Sequence, residues 1–120
     1  MQKKIFLFGL FVALMIFNLS CMTQIPDYVH NVKYVRRSSI SNYGVIYWNS
    51  FENADEYVIY RKNNDKVIEF ARTSDCVYGY KSDESFWINS NYSYAVQAIV
   101  NGEKTFCSNF VELSGDEYYE

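Results

Sequence analysis

The sequence is poor in the residues that break chains, bind metals and catalyse. It holds one proline, five glycines and a single histidine, His30, in 120 residues. One histidine cannot build a histidine-based metal site, and no serine or cysteine lies in a motif that pairs it with that base. A CxxC pair, an HExxH helix and a phosphate-cradling glycine loop are all missing. The expectation is therefore no catalytic residue, no metal and no cofactor. Asp83 and Glu84 are adjacent carboxylates, and neighbours on an extended chain point to opposite faces. They are expected in a solvated loop, with a weak calcium contact as the alternative. A positive excess is missing as well: Lys and Arg number 11 against 14 Asp and Glu, a net charge of −3. Without a basic stripe the chain is not expected to bind nucleic acid, nor to dock on anionic lipid through a polybasic patch. No internal repeat, low-complexity tract or helical 3.6-residue period is found after residue 28.

What is present begins with the leader. Met1-Gln2-Lys3-Lys4 is a short basic start, and Ile5–Leu19 is an almost unbroken apolar run closed by Ser20-Cys21. A basic start, a short apolar stretch and a small residue before the cut make a secretory signal. The run is shorter than the roughly 20 residues that a spanning helix needs. An uncleaved membrane anchor and a buried core helix are the alternatives, although the segment has no polar face. Residues 1–20 are thus expected to leave as a signal peptide. Losing Lys3 and Lys4 leaves 9 basic against 14 acidic residues, a net charge of −5.

Asn18-Leu19-Ser20-Cys21 resembles the lipobox of bacterial lipoproteins, in which leucine and small residues precede a cysteine at the cleavage point. The family usually has its leucine three places before the cysteine. Here Asn18 takes that place and Leu19 comes one later. The resemblance implies that Cys21 is lipidated and becomes the first mature residue, with Ser20 the small residue before the cut. Acyl chains would remove a reactive thiol, and two or more of them anchor a protein stably. The implied location is the cell envelope, lipid-anchored to a bacterial membrane. A plain signal cut nearby, leaving Cys21 an exposed thiol on a secreted domain, is the alternative.

The mature chain reads as strand after strand. Aromatics make up 19 % of the sequence, with 12 tyrosines and 9 phenylalanines, which suits pleated, half-buried surfaces. Residues 21–27 form a short tether containing Pro26. Strands are expected at Val29–Val35, Gly44–Trp48, Glu56–Arg61, Lys66–Arg72, Cys76–Tyr80, Tyr92–Val100 and Lys104–Leu113. Lys62-Asn63-Asn64-Asp65 and Asn101-Gly102 are the strongest hairpin signals, because Asn, Asp and Gly tolerate left-handed geometry. Phe86-Trp87-Ile88 is an apolar segment inside a polar connection, and Trp87 reads equally as core plug or exposed ring. Residues 114–120 are expected to be a frayed acidic tail. Seven strands at this spacing predict an all-β, two-sheet sandwich with a core on Trp48, Tyr57, Ile59, Tyr92, Tyr94 and Val96.

Ile46-Tyr47-Trp48, then Ala54–Arg61, then Tyr92–Ala98, then Ser108–Leu113 resembles a fibronectin type III domain over residues 28–113. The resemblance implies a seven-stranded immunoglobulin-like sandwich with sheets A-B-E and C′-C-F-G. It also implies that Tyr92 is a tyrosine-corner residue capping backbone in the E–F connection. No activity or cofactor follows from it, because the fold serves as spacer, adhesion surface or binding module. Cys76 would open strand E and Cys107 would lie in strand G, so these two either form a disulfide across one end or remain as two buried free thiols. Val58 and Tyr60 on strand C, with Gln97 and Ile99 on strand F, are expected to point away from the core. They make either one apolar binding surface or ordinary surface apolarity. The expected function is a non-enzymatic, membrane-tethered interaction module for a protein or glycan. The alternative is a structural subunit joined through an exposed edge strand.

Overall fold

The structure of the chain, a computed structural model, describes residues 25–119. The leader and Cys21 lie outside the described residues. Nine strands form two sheets among them: β1 (Ile25–Tyr28), β2 (Lys33–Arg36), β3 (Gly44–Tyr47), β4 (Glu56–Asn63), β5 (Lys66–Thr73), β6 (Val77–Tyr78), β7 (Tyr92–Val100), β8 (Glu103–Phe106) and β9 (Leu113–Tyr118). One sheet runs in the order β1-β8-β7-β4-β5 and the other β6-β3-β2-β9. This is the all-β sandwich that the strand rhythm predicts. The family's two sheets are recognisable as β2, β3 and β6 against β5, β4, β7 and β8.

Alternation explains which residues close the core. Tyr57 and Ile59 of β4 share a face with Tyr94, Val96 and Ala98 of β7, and Tyr34, Ile46 and Trp48 come down from the other sheet. All are buried. Full burial of such side chains stabilises by about 1.5–3 kcal/mol each as an upper value. Ring edges meet ring faces: Tyr34 on Tyr94 at 4.7 Å and Trp48 on Tyr57 at 5.3 Å between centroids. The hairpins turn where the sequence predicts, with Asn64 (φ 57°), Asn101 (φ 51°) and Gly102 (φ 79°) in left-handed backbone.

The strand directions define two ends. At the tether end, β1 begins beside the β7–β8 turn, and the Asn101 amide donates to Asp55 Oδ2 at 2.8 Å. At the far end lie the β2–β3 turn, the β4–β5 turn and the start of β7.

Three expectations about the strands need correction. The tether is not all free, because Ile25–Tyr28 pairs in parallel with β8. The tail does not fray, because Leu113–Tyr118 pairs in parallel with β2 and the Tyr119 amide donates to the Arg36 carbonyl at 2.9 Å. Its hold has a physical cause. Val35 and Val45 point away from the sandwich core, yet both are fully buried. On that side the Tyr119 ring meets Tyr47 at 5.5 Å and Tyr80 at 5.9 Å, and Lys33 pairs with Glu117 at 3.1 Å. The last expected strand is also shorter. After Phe106 regular pairing lapses into single backbone bonds, the Ser108 amide donating to the Val96 carbonyl (2.9 Å) and Tyr94 and Val111 exchanging theirs, while two hydroxyls fill in: the Ala98 amide donates to Thr105 Oγ1 (3.0 Å) and the Val96 amide to Ser108 Oγ (2.9 Å).

Candidate interaction surface

The patch expected on the outer side of β4 and β7 is not an exposed apolar surface. Val58 is fully buried, Gln97 is buried, and Tyr60 and Ile99 are half-buried. Gln97 Nε2 donates to the Thr105 carbonyl at 2.8 Å, and the Tyr60 hydroxyl donates to Gln97 Oε1 at 2.8 Å. A buried amide with both ends bonded is satisfied structure. Burial pushes the Tyr60 hydroxyl above its ordinary range, with Cys107 nearby adding to the shift.

Cys76 and Cys107 are both free. Cys76 precedes β6 in one sheet and Cys107 follows β8 in the other, and packed sheets stand further apart than a disulfide spans. Cys76 is half-buried and its thiol donates to the Tyr57 hydroxyl at 3.6 Å. Cys107 is an exposed residue, not a buried one, although burial of its thiol pushes that group up. Tyr92 is likewise not the capping residue expected. Its ring lies under the Arg61 guanidinium at 4.4 Å, while the hydroxyl that accepts from the E–F connection, at the Asn89 amide, belongs to Tyr34 (3.3 Å). Glu84 sits in a 3-10 turn, Ser82–Glu84, and accepts from the Gly79 amide at 3.2 Å. No group of three or more His, Cys, Asp or Glu converges among the described residues.

The far end carries the exposed aromatic residues that pattern alone left open. The Gly44 amide donates to the Phe86 carbonyl and the Ile88 amide to the Asn42 carbonyl, each at 2.9 Å. Phe86–Ile88 therefore runs beside the start of β3 as an extended segment, with Trp87 bridged to Tyr43. Extended backbone alternates, so Phe86 turns in and Trp87 turns out. Phe86 is the plug, touching Phe70 at 5.3 Å and Tyr94 at 5.7 Å. Two glycines make its slot. A Cβ on Gly44 would stand 2.7 Å from the Phe86 ring, and one on Gly79 would stand 2.5 Å from the same ring. Trp87 remains 65 % exposed and its ring packs on Tyr43 at 4.8 Å. Arg37 lies over Tyr43 at 5.4 Å and is fixed by bonds to the Gly79 carbonyl (2.6 Å) and Ser85 Oγ (3.0 Å). Ile40, in the adjoining β2–β3 turn, is 93 % exposed. A tryptophan held on a second ring above a fixed arginine is a preorganised contact surface of the residue types that anchor interfaces.

The tether end offers a different feature. Asp27, His30, Ser50, Glu52 and Asn53 border an open cleft of about 420 Å³. His30 and Asp27 are 3.3 Å apart and both half exposed, and such exposed pairs contribute little. One sheet edge is guarded. β5 carries Lys66, Glu69 and Arg72, and its register slips beside Phe70, features that blunt edge pairing.

No protein-family model matches the sequence, and no curated protein matches it. Solved structures do. A Fn3-like protein from Clostridium thermocellum superposes with a TM-score of 0.58 at 22 % identity, covering 74 % of this chain and 92 % of that one. The crystal structure of FN3tt gives 0.54 at 20 % identity, covering 78 % and 95 %. A myokine structure gives 0.50 at 20 % identity, covering 72 % and 94 %. At these identities the likeness is one of fold, and the fold is fibronectin type III-like.

Proposed function

We propose that the chain is a non-enzymatic, envelope-anchored lipoprotein whose fibronectin type III-like domain binds a protein or glycan partner through its far end. The observation that carries this reading is the fixed stack of exposed Trp87 on Tyr43 over Arg37, at the end opposite β1. Three residues separate Cys21 from β1. Acyl chains on Cys21 would hold the tether end at the membrane and present Trp87 away from it. A ring already immobilised loses little freedom on binding. The basic start, the apolar run and Ser20-Cys21 support the anchoring half.

Two measurements test the two halves. The intact mass of protein extracted from membranes should carry acyl mass, and Cys21→Ser should remove both that mass and membrane retention. Trp87→Ala should leave the thermal midpoint within a few degrees and abolish partner co-purification. An unmodified Cys21 defeats the anchoring half, and a partner that stays bound to Trp87→Ala defeats the binding half.

A further inference from the structure

Arg61 interrupts an otherwise apolar row. It follows Tyr57 and Ile59 on the inward side of β4, opposite Tyr94 of β7 and Ile68 of β5. Its guanidinium lies over Tyr92 at 4.4 Å and over Phe70 at 5.0 Å. Arg36 and Arg37 donate to backbone carbonyls, and Arg72 pairs with Glu56 and Glu69. Among the described residues Arg61 forms no ion pair. The hydroxyl of Tyr94, a fully buried residue beside it in register, has this guanidinium as its polar neighbour. At this point the far end opens into a pocket of about 150 Å³ lined by Arg61, Asn63, Lys66, Ile68 and Tyr92. Asp65, in the turn between Asn63 and Lys66, forms no ion pair with either cation.

We infer that this pocket binds a compact oxyanion, the carboxylate or phosphate group of a ligand. Rings flank the guanidinium, so its N–H edge is the part left for polar contact. That edge matches two oxygens of one anion. Lys66 adds a second positive charge, and the Asn63 amide and Tyr92 hydroxyl add neutral donors. The volume suits one anionic group rather than a whole sugar ring. Neither cation forms an ion pair among the described residues, which leaves both available to an anion. The site is separate from the Trp87 surface, and its failure would leave that reading untouched.

The test is a nuclear magnetic resonance titration of the full chain in neutral detergent, with inorganic phosphate in one arm and glucuronate in the other. The Arg61 Nε–Hε and Tyr92 ring signals should move and saturate while Arg72 stays still. Lys66→Gln, in an exposed turn, should weaken the apparent affinity about tenfold, as expected for a lost charged hydrogen bond. Arg61→Lys keeps the charge but loses the fork, and should weaken binding with the remaining spectrum unchanged. Saturation by phosphate alone assigns a phosphate ligand, and saturation by glucuronate alone assigns a carboxylate. A linear drift spread over all lysines and arginines in both arms would overturn the site, as would an unchanged affinity in Lys66→Gln.

Discussion

At the tether end the chain is closed by short polar links, the Asn101 amide on Asp55 and the half-exposed pair of Asp27 and His30. At the far end it is closed by rings, with Phe86 driven between the sheets and Trp87 turned out beside it. The far end combines rigidity with exposure. Phe86 on the inside fixes the backbone that presents Trp87 on the outside. The tether end has an open cleft beside a smaller exposed pair, the Tyr28 ring on His30 at 4.5 Å. A half-buried ring and an exposed ring are thus neighbours at the far end, and the two should answer differently to substitution.

The largest contrast is between two adjacent positions. Phe86→Ala should cost about 3 kcal/mol for the cavity it leaves, whereas Trp87→Ala should change stability by less than about 0.5 kcal/mol. Urea unfolding checks both, and equal losses would break the inside–outside division. Alkaline pH should attack the same core. Burial raises the hydroxyls of Tyr34, Tyr78 and Tyr94 above their ordinary value of 10.0, and Tyr57 adds to the effect nearer the tether end. The unfolded chain releases these protons first. Their contribution is therefore complete below pH 10 and falls as pH rises towards the folded values. Urea midpoints from pH 8 to 11 should be flat and then drop. Gly79→Ala should cost about 2 kcal/mol, because φ is +104° and the new Cβ would meet the Gly44 carbonyl oxygen as well as Phe86. Tyr119→Ala should cost about 1 kcal/mol by uncovering the outer side of β2 and β3, visible as faster amide exchange at Val35 and Val45. The smallest effect belongs to the tether end: His30→Gln should leave stability within about 0.5 kcal/mol and partner binding unchanged.

Much of this architecture is legible in the residues. Tyr92–Val100 alternates over nine positions, and Tyr57, Ile59, Trp48 and Tyr94 reach the core that period two assigns them. Asn101-Gly102 turns as its chemistry requires. The outer face of β4 and β7 was not legible, because alternation says which way Val58 and Gln97 point but not what covers them. The Gln97 amide is closed by the Thr105 carbonyl and the Tyr60 hydroxyl, a tertiary arrangement with no local signature. The tail misled for a related reason. Ser114–Tyr118 is polar by composition, but its attachment serves Val35 and Val45, far away in sequence. The Trp87 surface had a partial signal in Phe86-Trp87-Ile88. Which of the two rings is the plug follows from Gly44 and Gly79, two glycines whose spatial meeting sequence order does not reveal. In the sequence Arg61 is one position of the family pattern and no more, since an inward arginine is recognised by its missing ion-pair partner.

The most direct test of far-end binding is a two-position crosslink in intact cells. The full chain would carry a photoreactive phenylalanine analogue in place of the exposed Ile40, in the turn adjoining Trp87, and, separately, in place of Glu52 in the tether-end cleft. Irradiation should give a discrete adduct from position 40 and none from position 52. An adduct from position 52 alone, or equal adducts from both, would contradict the account.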